Sequence, residues 1–393
     1  MTDRITITDF FDDLDDPRME GMCDYPLVEI IAITICAVIS GYDTFKDIAI
    51  YGKAKEEWLR TWLPLKNGVP TNHTYGRVLS LLDPKTFEEG FRKWVEAACT
   101  LSKGEVVAID GKTLRRSHNQ KSNKKAVHMV SAWAHENGLV LGQVKTDEKS
   151  NEITAIPELL NTLNLSGCIV TLDAMGCQKE ITKLIVEQGA DYVICLKGNQ
   201  GKLRDHVAKV TSEVIGKKFH DCTQAHTQHI ENSHGRREIR DYWIINDGNT
   251  DGPDSDWLGL RSFGVARSEV TTNGKTTMDT RYFITSLPCR VNDFARAVRA
   301  HWSIENTLHW CLDVTFREDE SRIRVGHAPE NMAVVRRLAL SALKQTPAPP
   351  RQPRKRRGKV VSSAAKPKEE SVSSKRKFCA LNDKYLETVL RHF

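Results

Sequence analysis

The chain has 393 residues, 40% of them hydrophobic, and a net charge of +6. That size and apolar content support two or three packed domains and exclude a chain disordered throughout. Its longest apolar stretch, Ile30 to Ile39, is too short to cross a bilayer, and the acidic start (Asp9, Asp12, Asp13, Asp15, Asp16) is no secretory signal, so a cytoplasmic protein with no membrane partner is expected.

The ten cysteines form no Cys-x-x-Cys pair, which argues against zinc fingers and a disulfide framework. The basicity is local. Between Thr346 and Ala380 stand eleven Lys or Arg against two Glu, a charge of +9, which leaves −3 for the rest.

Residues 1–100 read as an all-helical domain: an apolar helix from Pro26 to Ser40, a helical region from Phe45 to Leu63, a helix near Thr74 to Leu82 capped by Asn72, and one opened by Asp83-Pro84 that runs to about Thr100. The last two are either a plain helical hairpin or a helix-turn-helix that presents His73, Tyr75 and Arg77 to DNA.

From Glu105 the pattern changes. A strand ending at Asp110 precedes strands over 126–135 and 139–145, which Glu136-Asn137-Gly138 joins as a hairpin. Next come a helix from Ile153 to Leu163 opened by Ser150-Asn151-Glu152, a strand ending at Asp173, a helix from Gln178 to Gln188 and a strand from Tyr192 to Leu196. Three antiparallel strands followed by helix, strand, helix and strand is the order of a ribonuclease H-like core, so an α/β fold is expected, with that core over 104–198 and 289–345. Residues 199–288 carry β-like runs between Gly, Asn and Asp clusters and read as a mostly β insertion. A basic linker over 346–380 and a short C-terminal helix over 381–393 close the chain.

Three acids stand out in this frame. Asp110 ends the run Glu105-Val-Val-Ala-Ile, Asp173 ends Cys168-Ile-Val-Thr-Leu, and Glu305 rides a helix that begins near Val291. Two strand-end aspartates and a helix-borne glutamate can hold a pair of hard divalent cations about 3.5 to 4 Å apart, which is chemistry for cutting or joining nucleic acid. The bland alternative is that each Asp merely caps a strand. His301, Glu305 and His309 share one helical face, so a transition-metal site is the minor alternative to Mg2+ or Mn2+. Trp302 and Trp310 read as core residues, and Ser150-Asn151-Glu152 as a helix cap rather than a site.

The chain resembles the DDE transposases of bacterial insertion sequences, most closely the ISAs-type group that includes the H-repeat-associated proteins. The resemblance runs from about Phe10 to Leu343, through Ala108-Ile-Asp-Gly-Lys-Thr113, Lys149-Ser-Asn-Glu152, Thr171-Leu-Asp-Ala-Met-Gly-Cys-Gln178, Leu196-Lys-Gly-Asn-Gln200, His301-Trp-Ser-Ile-Glu-Asn306 and Asp313-Val-Thr-Phe-Arg-Glu-Asp319. It implies that Asp110, Asp173 and Glu305 are catalytic acids for two Mg2+ or Mn2+ ions, that double-stranded DNA at element ends and targets is the substrate, and that a homodimer or larger assembly forms on DNA. A nuclease or resolvase without strand transfer, and an inactive DNA-binding relic, are the other readings. Where related enzymes carry a Tyr, Arg, Glu and Lys signature on the last helix, this chain has Val298, His301, Glu305 and Leu312. Candidate DNA contacts are Lys112, Lys197, Asn199, Gln200, Arg299, His301, Arg322 and Arg324, chosen because each lies near one of the acids or near the same end of the core.

Overall fold

The computed structural model describes residues 7–19, 21, 23–118, 124–146, 152–216, 223–233, 235–246, 256–349, 355–356, 359–360 and 370–391. Among these, no helix is long and apolar enough to cross a membrane.

The N-terminal region is helical: α1 (Leu27–Ile39), α2 (Phe45–Ala54), α3 (Glu56–Leu59), α4 (Asn72–Leu81) and α5 (Pro84–Ala98). α1 is apolar on every side, and all but one of its residues are buried, as a helix must be when it has no polar face to offer water. The caps are local. Thr44 accepts the Asp47 N–H at the start of α2, and Asp83 accepts the Thr86 N–H ahead of Pro84 in α5. Asn72 is not a cap: α4 starts on it, after Thr71. Tyr75 is fully buried, so of the three residues expected on a DNA-facing helix only His73 and Arg77 reach the surface.

One nine-stranded sheet organises the remainder, in the order β3-β2-β1-β4-β5-β9-β8-β7-β6. Its first half consists of β1 (Val106–Thr113), β2 (His128–Ala134), β3 (Leu139–Lys145), β4 (Ile169–Leu172) and β5 (Asp191–Leu196). β1 pairs antiparallel with β2 and parallel with β4, and β4 pairs parallel with β5. The β2–β3 turn needs a residue at φ +65°, which Gly138 supplies without Cβ strain. The stretch expected to be mostly β opens instead with a helix, α8 (Gly201–Gly216), and then gives β6 (Thr223–Ser233), β7 (Arg236–Asn246), β8 (Ser262–Thr272) and β9 (Lys275–Thr285). These strands do not form a sheet of their own. β9 pairs with β5 from Val193 to Leu196, so the meander extends the same sheet past its β5 edge.

α6 (Glu152–Leu160), α7 (Lys179–Glu187) and α8 pack on one face of the sheet. α9 (Val291–Ser303) lies on the other, with Phe294, Ala297 and Val298 against Val106, Ile169, Val193 and Phe283. After a turn and the short α10 (Trp310–Val314), the 18-residue α11 (Ala328–Gln345) runs buried between the sheet and the N-terminal helices. Asn331 on α11 donates to the Leu79 and Leu82 carbonyls, which closes the end of α4.

The basic linker expected over 346–380 lies partly outside the described residues, at 350–354, 357–358 and 361–369. Its last part is no linker. α12 (Val372–Leu381) is capped by Ser371 and followed by α13 (Asp383–Arg391). Lys375 is buried, with its ammonium on the Leu343 and Thr346 carbonyls, and Arg376 reaches the Val38 carbonyl and, at 2.6 Å, Asp43, while its guanidinium lies over the Phe316 ring. Charge count alone gives solvation; here backbone carbonyls and one carboxylate replace the water.

Glu88 on α5 is a buried acid at the seam between the helical region and the sheet. Its Oε1 accepts the Gln143 N–H on β3, while its Oε2 has no hydrogen-bond partner. Burial pushes its carboxyl up to about 8 from an ordinary 4.5, against the pull of that N–H and of Arg92. Between those two values the folded state holds a proton that the unfolded state releases, so stability falls as pH rises through the window, by at most about 1.4 kcal/mol per pH unit. Glu88→Gln removes the titration. Melting temperatures of both proteins at pH 5.5 and pH 8 should show the wild type losing more over that interval; parallel losses would mean the carboxyl ionises in the fold without penalty.

Candidate active site

Register brings two of the three acids together. Ile109 stands beside Leu172 in the parallel β1–β4 ladder, so Asp110 and Asp173, one step further, stand at the same level; Asp173 follows the end of β4, but Asp110, expected to end its strand, lies inside β1, which continues to Thr113 because its far half stays paired with β2. Adjacent strands lie about 4.8 Å apart. Alternation then fixes the side: Val106 and Ile169 pack under α9, so Asp110 and Asp173, whole two-residue steps beyond them, face α9 as well.

Glu305 arrives from above. α9 crosses β1, β4 and β5 and ends at Ser303, and Ile304–His309 continues as one π-helical turn before α10. A π turn inserts a residue into the helix and re-aims its side chains, a distortion that recurs at functional sites. Ile304 and Leu308 are buried, while Glu305 is exposed into a cleft of about 300 Å3. Asp110, Asp173 and Glu305 all line this cleft, with Thr171, Cys195, Lys197, Arg281, His301 and Trp302.

The three carboxylates sit in different surroundings. Burial pushes the Asp110 carboxyl up to about 7; the Gly111 N–H opposes this, and the negative charges of Glu152, Asp173 and Glu305 add to it. His309 Nδ1 lies 3.7 Å from Asp110 Oδ2. Burial, with the nearby Arg337 and Lys112 cations, holds that imidazole neutral by lowering it to about 3. Asp173 Oδ1 accepts the Met175 N–H at 2.8 Å and approaches the Gly176 N–H, so it is fixed by the loop it starts. Glu305 carries no ion pair or side-chain hydrogen bond among the described residues.

The expected DNA contacts separate into groups. Lys197 is exposed at the cleft wall. His301 lines the cleft but is largely buried, with Nδ1 3.1 Å from Thr171 Oγ1, and burial lowers it to about 4, so it stands neutral beside Asp173. Asn199 and Gln200 face the protein: their amides donate to the Ala174 and Cys177 carbonyls and so hold the loop after Asp173. Lys112 is buried, with its ammonium 2.6 Å from Asp313 and 3.2 Å from Asp319, and it does not line the cleft. Arg299 lies near Glu231 in a neighbouring groove, Arg322 borders a different cleft near Asp43, and Arg324 donates to the Arg116 carbonyl. These last four are not brought to the acids.

Sequence reading missed several residues. Arg281 reaches the cleft from β9, and its guanidinium lies 4.1 Å from the Trp302 ring centroid. Trp302 and Trp310, expected in the core, are 41% and 58% exposed. Glu152, read as part of a cap, stands close enough to act on Asp110; Ser150 and Asn151 lie outside the described residues.

Residues 101–341 match the family model described as Transposase DDE domain, and residues 8–95 match the one described as DDE_Tnp_1-associated. "Putative transposase YncI" of Escherichia coli O157:H7 is 40% identical over 395 residues, which covers 98% of this chain and 94% of that protein. "H repeat-associated putative transposase YhhI" of Escherichia coli K12 is 40% identical over 339 residues, 84% of this chain and 87% of that protein. Among solved structures, a piggyBac transposase synaptic complex with hairpin DNA covers 98% of this chain and 78% of its own at a TM-score of 0.38 and 10% identity, a likeness too slight to carry an argument. A family match over most of the chain, together with relatives of this identity along nearly its whole length, leaves one assignment: the chain belongs to the DDE transposases, in the group of the H-repeat-associated proteins.

Proposed function

We propose that the protein cuts DNA at the ends of an insertion element and joins the freed 3′-hydroxyl to target DNA, with Asp110, Asp173 and Glu305 as the catalytic acids. The observation that carries this reading is the meeting of three carboxylates, 63 and 132 residues apart in sequence, in a single cleft with Lys197 and Arg281 on its wall. The strand order β3-β2-β1-β4-β5, antiparallel for the first three and parallel thereafter, supports a ribonuclease H-like core.

The donor set fits two Mg2+ or Mn2+ ions. Among the described residues, no group of three or more His, Cys, Asp or Glu side chains forms a ready-made metal cage. An open acidic cleft is nevertheless what Mg2+ uses, since it binds through one or two carboxylates plus substrate phosphates and water. When bound, such ions activate an attacking hydroxyl and stabilise the leaving oxygen. The chain's own groups do the rest. Asp173 is fixed by backbone N–H groups, Asn199 and Gln200 hold its loop, and neutral His301 braces Thr171 without neutralising the acids. Lys197 and Arg281 supply positive charge for a DNA phosphate. Two element ends have to be brought together, so at least two copies act at once, in the cytoplasm where the DNA lies.

The test is a nicking reaction on duplex DNA that carries an element end. Cleavage is expected with Mg2+ or Mn2+, together with joining when a 3′-hydroxyl end and a target duplex are supplied, and both should stop in excess EDTA. Cleavage that persists in EDTA would reject the reading. Cleavage without joining would favour a nuclease or resolvase, and binding with neither activity would mark an inactive copy.

A further inference from the structure

The two aspartate-bearing strands each grip the chain around Glu305 with the residue two places from the acid. On β4, Thr171 Oγ1 lies 3.1 Å from His301 Nδ1, four residues ahead of Glu305. On β1, the buried Lys112 ammonium lies 2.6 Å from the Asp313 carboxylate, eight residues beyond Glu305, and 3.2 Å from Asp319. Alternation along a strand puts Thr171 on the side of Asp173 and Lys112 on the side of Asp110. The π turn thus lies between one tie to each strand.

The second tie matters because the turn interrupts the helix. A regular helix would place Glu305 from α9 alone; the π turn breaks that relation, so the carboxylate's position also depends on what holds the chain after it. Ile304, Leu308 and Leu312 are buried and keep this stretch down on the core, but apolar burial is non-directional and sets depth better than position along the sheet. An ion pair has direction. As a stabiliser it is a poor choice, since two apolar residues of similar volume often serve a buried position as well. What Lys112 and Asp313 add is a fixed register between β1, which carries Asp110, and α10, which follows Glu305. His309, on the turn itself, stands 3.7 Å from Asp110, too far for a hydrogen bond. The geometry points to Lys112 and Asp313 as positioning residues that hold Glu305 at its working distance from Asp110. This rests on the reading of Glu305 as a catalytic acid.

The test is a double-variant cycle on Mg2+-dependent nicking at an element end, with DNA affinity and melting temperature measured on each full-length protein. Asp313→Ala is the informative change, because Lys112 keeps Asp319 and no buried charge is stranded. It is expected to slow nicking about 10- to 100-fold, the cost of a misplacement of about 1 Å, with DNA affinity unchanged. Asp313→Glu, which keeps the charge, should recover part of the rate. In a Glu305→Gln background Asp313→Ala is expected to cost nothing further, since the group it positions is gone. An equal loss in both backgrounds, or no loss in Asp313→Ala, would overturn the inference and leave the site reading intact. Nicking that simply tracks melting temperature across Asp313→Ala, Asp313→Glu and Lys112→Arg would show a purely structural role and also overturn it. Wild-type nicking in Glu305→Gln would instead overturn the site reading, and this inference with it.

Discussion

If Glu305 is a catalytic acid as proposed, Glu305→Gln is expected to lower the rate of Mg2+-dependent nicking at an element end by at least about 1,000-fold, the loss that follows when several kcal/mol of transition-state stabilisation is removed. Affinity for the same DNA stays within about twofold, since one solvent-facing charge is worth little to a long phosphate interface. Glu305 is a cleaner probe than either aspartate. Its side chain is exposed on the π turn and carries no ion pair among the described residues, so the amide disturbs nothing in the fold. Asp173→Asn would also weaken the acceptor of the Met175 and Gly176 N–H groups and could shift its loop. Asp110→Asn would change the partner of His309. Nicking rates from denaturing gels and binding from fluorescence anisotropy separate the two effects. A variant that cuts within tenfold of the wild type would remove Glu305 from the catalytic set, and a parallel loss of binding would assign it to DNA contact.

The sequence made the two aspartates legible, though Asp110 lies inside β1 rather than at its end, because the information is local. An apolar run that stops at an acid marks where a strand leaves the apolar core for a polar site, and the β1–β4 register then needs only the parallel pairing that the order of elements implies. The N-terminal cap at Asp83 is local in the same sense. What escaped depends on distant partners. Nothing in the run around Glu305 announces a π turn, and a helix of ordinary pitch gave no reason to place Trp302 and Trp310 in solvent. The insertion was legible as β strands but not as an extension of the core sheet, because the pairing of β9 with β5 joins residues about ninety apart.

Charge misled in both directions. Lys112 looked like a phosphate contact from its place beside Asp110, yet Asp313 and Asp319, two hundred residues away, enclose it. Lys375 and Arg376 looked like linker, yet carbonyls of α11 and α1 receive them. Glu152 looked like a cap because it precedes an apolar helix. In the fold its carboxylate lies 2.8 Å from His128 Nε2 and against Gly111. In each case residue type gave the chemistry and tertiary contact decided its use.

The second large effect is on stability. Arg337→Met should destabilise the protein by about 3–5 kcal/mol, the usual result of removing one partner from a buried ion pair. Arg337 on α11 is fully buried, with Nη1 3.1 Å from Glu318 Oε1 and Nε 3.2 Å from Ser131 Oγ. Methionine nearly fills the volume, so the penalty comes from the charge left behind: Glu318 is 2% exposed and, among the described residues, its Oε2 lacks a hydrogen-bond partner and only Arg336, at 3.7 Å, would still face it. Neutralising that residue should recover part of the loss, so Arg337→Met with Glu318→Gln is expected to be more stable than Arg337→Met alone. Urea unfolding of the wild type, both single variants and the double variant measures the coupling. Additive single effects would show that the two charges do not depend on each other. Coupling would show that α11 is tied by this pair to the segment after α10, and by Ser131 to the strand position directly opposite Asp110. The site's geometry would then depend on the same buried charges as the fold.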